Sequence, residues 1–409
     1  MSSRPRTMSF PRFSKTNLQR VLSAKSRRRF SNDAASYSYE SLEARQLLSA
    51  DVGASFTTVN NGSPIFSDAN PPNISAAVGE NHIVQFVNTG YSIWDKGTGN
   101  ALLQQGSLEQ FFAAAGTPAV DNDGDAVTLS QPRLVYDSGF ERWYVIAVDN
   151  QDLNDNAPGN QGNRIFIAGT STPDPTGPWR SETIQLDTGT LDANGNIDFL
   201  FRTERLNLSI DEVGLTISAQ ELIITPFGEQ PVGTAVLGLP QVALFGGDIE
   251  TFRAEIGRGI GNADIGFEIQ FGLDSTIAPQ SFPVTSTASV FSLAIDGEAD
   301  QDTFPPGRQG DELVLTEFTR QGTPNVDLGL AIGAITRIPI DFYREPDVVR
   351  QPTDIIRDRD SALFNASVAQ EGRFLYAAHS VRDVVTLPDG TQAEGPNAVI
   401  RWYKVDTQP

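Results

Sequence analysis

From residue 73 onward, apolar and polar side chains alternate in short runs, and very few stretches carry apolar residues at i, i+3, i+4 and i+7. A period of two predicts strands. The segment "ISAAVGENHIVQFVNTGYSIWDKGTGNALL" reads as a short strand, a turn, a strand over Ile83–Asn88, a tight bend, a strand over Ser92–Asp95 and a turn at Lys96–Gly99. "PRLVYDSGFERWYVIAVDN" predicts a hairpin, with Arg133–Tyr136 and Trp143–Val148 flanking a turn at Asp137–Glu141. "NRIFIAGTSTPDPTGPWRSETIQL" adds two strands around a Pro/Gly-rich loop. The pattern returns at "SIDEVGLTISAQELIITPF", "TAVLGLPQVALF" and "SVFSLAIDG…DELVLTEFT", and closes with "ALFNASVAQEGRFLYAAHSV…NAVIRWYKVD".

The recurring unit is an apolar strand, a Gly or Asp turn, a strand ending in small residues, and a further strand. Units of roughly 40–60 residues with three or four strands each predict an all-β fold, a β-propeller of about five or six blades. Paired β-sandwiches are the competing architecture. The 36 Gly and 25 Pro in 409 residues fit many short strands better than long helices.

Charge divides the chain in two. Residues 1–31 hold nine Lys and Arg and no acid, which leaves 21 basic against 51 acidic residues in the rest, a net −30. Such a body repels phosphate backbones and anionic lipid, so nucleic acid is excluded as a partner of the folded part. No run reaches 18 apolar residues, so no transmembrane helix is expected. The chain has no cysteine, which excludes disulfides, thiol nucleophiles and thiolate zinc. Only His82 and His379 supply imidazole, so acid–base chemistry falls mainly to carboxylates, Tyr or Lys.

The basic lead has no apolar stretch of signal-peptide length, and Arg27, Arg28 and Phe30 are followed by polar residues. Behind it stands "LEARQLLSAD", Leu42 to Asp51. This run resembles the LEPR-XLL motif of planctomycete exported and surface proteins: Leu42, Glu43, Arg45, Leu47, Leu48, Ser49, Ala50 and Asp51 fit, and Ala44 stands where the motif has Pro. The resemblance implies targeting to the cell surface, periplasm or exterior. The expected organisation is a disordered leader over 1–55 carrying this motif at 42–51, a linker over 56–72, and a propeller over 73–406.

A second resemblance concerns the body. "AVGENHIVQFVNTGYSIWDKGTG" is similar to a segment of uncharacterised secreted bacterial β-propeller-like proteins. In those proteins an R-x-V-Y-D…R-W hairpin follows, matched by Arg133, Val135, Tyr136, Asp137, Arg142 and Trp143. A later S-T-x-D-P-T-G-x-W loop is matched from Ser171 to Trp179, and a closing pair by Ala377, Ala378, His379, Arg401, Trp402 and Tyr403. Residues 189–310 match poorly. The resemblance implies fold and location, not an activity.

Two acidic loops are candidate calcium sites, because alternating Asp around Gly presents hard oxygen ligands. One holds Asp121, Asp123 and Asp125, the other Asp149, Asp152 and Asp155. Calcium there is expected to be structural, against the plainer reading of solvated polar turns. His82, His379 and Asp211 form a candidate ligand site if the first and last blades are neighbours, against each histidine capping a strand. Tyr91, Trp94, Trp179 and Trp402 are candidates for stacking on sugars, with Trp94, Trp143 and Trp402 read as core. No G-x-S-x-G motif occurs. The leading expectation is therefore an exported, monomeric, non-catalytic propeller that binds a polysaccharide or a surface protein. The alternative is a carbohydrate-active enzyme, hydrolase or lyase, using paired carboxylates on the same fold.

Overall fold

A computed structural model describes residues 73–97, 101–121, 124–149, 163–186, 189–191, 197–210, 214–225, 228–240, 254–256, 267–274, 289–300, 307–321, 329–344, 349–350, 356–357, 368–386 and 392–408. The leader with Leu42, Glu43, Arg45, Leu47 and Leu48 lies outside them, as do the linker, Asp123, Asp152, Asp155 and Asp211.

The fold is all-β and propeller-like, and its strands form consecutive antiparallel meanders. The first is β1 (Ile74–Val78), β2 (His82–Val87), β3 (Gly90–Asp95) and β4 (Leu102–Gly106). After helix α1 (Leu108–Ala115) comes the second, β5 (Leu129–Asp137), β6 (Arg142–Asp149), β7 (Arg164–Thr170) and β8 (Trp179–Gln185). The third holds β9 (Gly189–Leu191), β10 (Ile197–Ile210), β11 (Gly214–Thr225), β12 (Gly228–Pro240) and β13 (Ala254–Ile256). The fourth is β14 (Phe267–Asp274), β15 (Ser289–Asp300), β16 (Gly307–Gln321) and β17 (Gly329–Arg344).

A two-stranded ribbon, β18 (Val349–Arg350) with β19 (Ile356–Arg357), precedes the last meander, β20 (Val368–Glu371), β21 (Phe374–Thr386) and β22 (Gln392–Asp406). The last two meanders are joined by a parallel pairing of β14 with β20. Within the described residues, β1 lies against β5, β5 against β10, β10 against β14, and β14 against β20. That succession of leading strands belongs to a propeller rather than to paired sandwiches.

The buried positions explain the pattern. In β6 and β7 the apolar residues run almost without a break, because both faces of the second sheet are covered. Trp143, Val145, Ala147, Phe166 and Ala168 point to the first sheet and α1. Their alternates Tyr144, Ile146, Val148, Ile165 and Ile167 point to the third sheet, against Leu206, Leu208, Ile217 and Leu237. Each such fully buried side chain contributes roughly 1.5–3 kcal/mol. Burial also raises the ionisation of the Tyr144 phenol above its ordinary range, so it sits in this core as a neutral hydroxyl. A further layer joins Val236 of the third sheet to Phe271, Ala294, Val314 and Phe318 of the fourth.

Helix α1 is the one described helix, and strand periodicity hides it. Its buried residues Leu108, Phe111, Phe112 and Ala115 keep helical spacing. Ser107 and Gln110 form a reciprocal capping box, and Gly116 closes the other end at φ 116°, a conformation that suits glycine. Phe111 sits edge-on to Phe86, Tyr91 and Trp179 at 4.9–5.0 Å between ring centres, wedging the helix between the first two sheets.

Candidate functional site

Side chains on the leading strands hydrogen-bond the next sheet's backbone. Ser75 Oγ on β1 accepts from Leu134 N on β5 at 2.9 Å. Gln131 Oε1 on β5 accepts from Arg205 N on β10. Asn207 Oδ1 on β10 accepts from Phe271 N on β14 at 3.1 Å. Two of these strands break register at the same place in the relay, between Ser130 and Arg133 and between Glu204 and Asn207. The residues there, Gln131 at φ 53° and Arg205 at φ 54°, are non-glycine residues in the left-handed region. Each such residue costs about 1–3 kcal/mol, and such outliers gather where a fold re-aims side chains for a task.

The bulges are flanked by polar side chains that remain partly open to solvent: Gln131, Arg133, Arg202, Glu204 and Arg205 are all half-buried. Arg202 and Glu204 share one face of β10, with Arg202 Nη2 2.9 Å from Glu204 Oε1. The Glu204 side chain is 21% exposed. These leading-strand residues carry charge and hydrogen-bonding groups beside the apolar layers. Sequence reasoning did not find them, because a bulge and a left-handed Gln or Arg leave no signature in a period-two pattern.

The structure gives each expected site residue a definite place or none. His82 opens β2, with Nε2 3.8 Å from Asp174 Oδ1 in the β7–β8 loop. His379 lies inside β21 rather than at a strand end. There it is buried, with Nε2 2.7 Å from Tyr403 Oη and its ring edge-on to Tyr343. The two histidines therefore engage separate partners. Asp149 is buried and its Oδ2 accepts from Arg164 Nε and Nη2 at 2.9 and 2.7 Å. That carboxylate, expected as a calcium ligand, is paired here with a guanidinium.

Asp121 and Asp125 hold their own loop: Asp121 Oδ1 accepts from Asp125 N at 2.8 Å, and Asp121 N donates to Asp125 O. Among the described residues no three His, Asp or Glu side chains gather as a metal site. Of the aromatics, Trp143 is core as expected and Trp94 is half-buried, its Nε1 donating to Ser92 Oγ. Trp402, read as core, is 55% exposed. Its neighbour Tyr403, on the opposite face of β22, is buried instead.

The β7–β8 loop is pinned between two sheets. Trp143 Nε1 donates to Pro173 O, Trp179 Nε1 to Pro175 O and Gln104 Nε2 to Thr176 O. Asp174 caps the turn through Thr176 N and Oγ1 at 2.9 and 2.7 Å. The Thr176 hydroxyl first, then the Thr176 amide and the nearby His82, hold the Asp174 carboxyl below its usual range. A depressed acid stabilises the loop fully above its unfolded pKa, near 3.9, and loses that contribution as pH falls through the lower folded value. Loop order, read by the fluorescence of Trp143 and Trp179, should therefore hold from neutral pH to about pH 4 and decline below it. In Asp174→Asn that acid transition should be absent, and its persistence would assign it to another group.

No protein-family model matches the chain, and no curated protein does. Among solved structures the chain is similar to an α-L-arabinofuranosidase from Lactobacillus brevis, at 11% identity over 82% of this chain and 89% of that one, TM-score 0.31. It is similar to a GH43_1 enzyme from Xanthomonas citri complexed with xylose, at 9% identity over 81% and 92%, TM-score 0.30. An exo-β-1,3-galactanase from Phanerochaete chrysosporium follows at 6% identity over 84% and 94%, TM-score 0.26. The expectation of a non-catalytic binding module is corrected on this point: the structures matched are enzymes. Likeness at this level carries no residue-by-residue correspondence. Among the described residues no helix is long and apolar enough to cross a membrane.

Proposed function

We propose that this chain is a carbohydrate-active enzyme that meets a polysaccharide along its leading strands. The observation that supports the reading is the Arg202–Glu204 pair on a bulged, strained strand, beside the matching bulge that presents Gln131 and Arg133. Sugar hydroxyls need a dense set of donors and acceptors, and glycoside cleavage needs carboxylates to transfer a proton or attack the anomeric carbon. In this reading Glu204 serves as one of that pair. Arg202 fixes its direction, and Gln131 and Arg133 supply hydroxyl-binding groups. The basic leader and the motif-like run at 42–51 support an exported setting, where polysaccharide is met outside the cytoplasm.

The test is reducing-sugar release from a panel of neutral and acidic polysaccharides. Wild-type protein should release ends from at least one, and Glu204→Gln should lower that rate by about 10²-fold or more while melting normally. Undiminished cleavage by Glu204→Gln would remove Glu204 from the chemistry. A wild-type protein that cleaves nothing in the panel would sink the reading.

A further inference from the structure

The outer face of the last hairpin exposes large apolar side chains. Cross-strand register sets Ser380 opposite Ile400, Ala378 opposite Trp402, and Tyr376 opposite Lys404. Their alternates Leu375, Ala377, His379, Tyr403 and Val405 are buried on the other face. The outer row is open: Ile400 is 63% exposed and Trp402 55%. Trp402 lies across from an alanine, so its indole has a flat, uncrowded neighbourhood. Next along the row, Lys404 Nζ lies over the Phe374 ring at 4.3 Å and the Tyr376 ring at 5.9 Å.

By sequence, the charge of the last hairpin departs from that of the chain. Strands β20–β22 and the turn between β20 and β21 carry Arg373, Arg382, Arg401 and Lys404 against Glu371, Asp383, Glu394 and Asp406, so the hairpin is neutral in a protein of net charge −21. Within it the cations are not equivalent. Arg373 Nη2 is paired with Asp406 Oδ2 at 3.0 Å, and Arg401 Nη1 donates to Asp341 O at 2.7 Å. Lys404 is held by aromatic rings alone among the described residues. A cation seated on rings, two residues from an exposed indole, is complementary to an anion that carries an apolar ring face.

We propose that this face binds an acidic polysaccharide, with a uronate ring stacked on Trp402 and its carboxylate on Lys404. Trp402 and Lys404 are two residues apart on one side of β22, about 7 Å between their Cα atoms. The Lys404 ammonium rests over Phe374, on the side away from Trp402, and meets the carboxylate by swinging its flexible stem back along the row. From Ile400 to Lys404 the row runs roughly 13 Å, enough for two or three sugars in an extended chain. Stacking a sugar's C–H face on indole removes apolar area from water, and the ammonium supplies the ionic contact. The hairpin carries no net charge by sequence, so it offers a polyanion less repulsion than the acidic remainder of the chain does. The site is separate from Glu204 and does not depend on the role given to that residue.

Affinity electrophoresis of the full chain tests it, with polygalacturonate or neutral dextran cast in the gel. Polygalacturonate should retard the wild-type protein, dextran should not, and retardation should weaken with added salt. Trp402→Ala should lower the apparent affinity at least tenfold, Trp402→Tyr should keep most of it, and Lys404→Gln should weaken it and flatten the salt dependence. Reducing-end release is measured on the same Trp402 and Lys404 variants, so loss of cleavage and loss of binding are told apart. Equal retardation by dextran, or unchanged binding by Trp402→Ala, would overturn the proposal. So would sedimentation showing Trp402-dependent self-association, which would give the face to a second copy of the chain.

Discussion

Trp143→Ala is expected to lower the stability of the folded chain by about 3–5 kcal/mol, the cost of emptying a fully buried large aromatic site. The indole fills the space between the first two sheets, where a Cβ built on Gly79 would lie 2.5 Å from its Cζ2. Tyr136 packs on it with ring centres 4.5 Å apart. Its Nε1 donates to Pro173 O at 2.9 Å, so the same side chain ties the β7–β8 loop to the core. Alanine removes both the volume and the tie. Trp143→Phe separates them: it retains most of the apolar volume and loses the hydrogen bond, for an expected loss of about 1–2 kcal/mol. Denaturant unfolding followed by circular dichroism measures both. A Trp143→Ala protein within 1 kcal/mol of wild type would mean that the two sheets do not pack through this residue.

Asp149→Ala is expected to cost a similar amount, about 3–5 kcal/mol, for a different reason. The Asp149 side chain is fully buried, and its Oδ2 takes two hydrogen bonds from the guanidinium of Arg164, whose side chain is only 15% exposed. Removing the acid leaves a positive charge in an apolar setting, since the Arg164 guanidinium also lies 5.3 Å from the Phe166 ring. The double replacement Asp149→Ala with Arg164→Met should recover much of the loss, because neither charge is then stranded. Stability measured with and without millimolar calcium reports on the metal reading as well. A calcium-dependent gain that Asp149→Ala abolishes would restore the acid as a ligand, whereas an unchanged calcium response fits an ion pair.

These two residues show what could and could not be read along the chain. The β5–β6 hairpin was legible because its turn, Asp137 to Glu141, separates two runs whose apolar content no helix would spread that way. The structure places the strands at Leu129–Asp137 and Arg142–Asp149, each wider than the alternation alone implied. The core role of Trp143 was legible for the same reason. Helix α1 was legible in principle, through Ser107, Gln110 and the spacing of Leu108, Phe111, Phe112 and Ala115, but eight residues between strands are easily absorbed into a β pattern. The ion pair of Asp149 was not legible, because an acid at the start of an acidic loop looks like a ligand until its cross-strand partner is known. Arg164 lies 15 residues away, on the next strand.

The sequence by itself determined the class of structure and its punctuation: many short strands, Gly- and Asp-rich turns, an acidic body behind a basic lead, and the absence of thiol chemistry. Those properties are local or additive, so periodicity and counting suffice for them. Tertiary structure alone decided which face of each strand is covered. A strand offers two faces, and a period of two cannot say which one a neighbouring sheet will bury. It thus put Trp402 in solvent and Tyr403 in the core, one residue apart on β22. It also decided partners: Tyr403 for His379, Arg164 for Asp149, and the relay through Gln131 and Asn207 that stitches one leading strand to the next. Each is a contact between residues distant in sequence, fixed only when the meanders pack against one another.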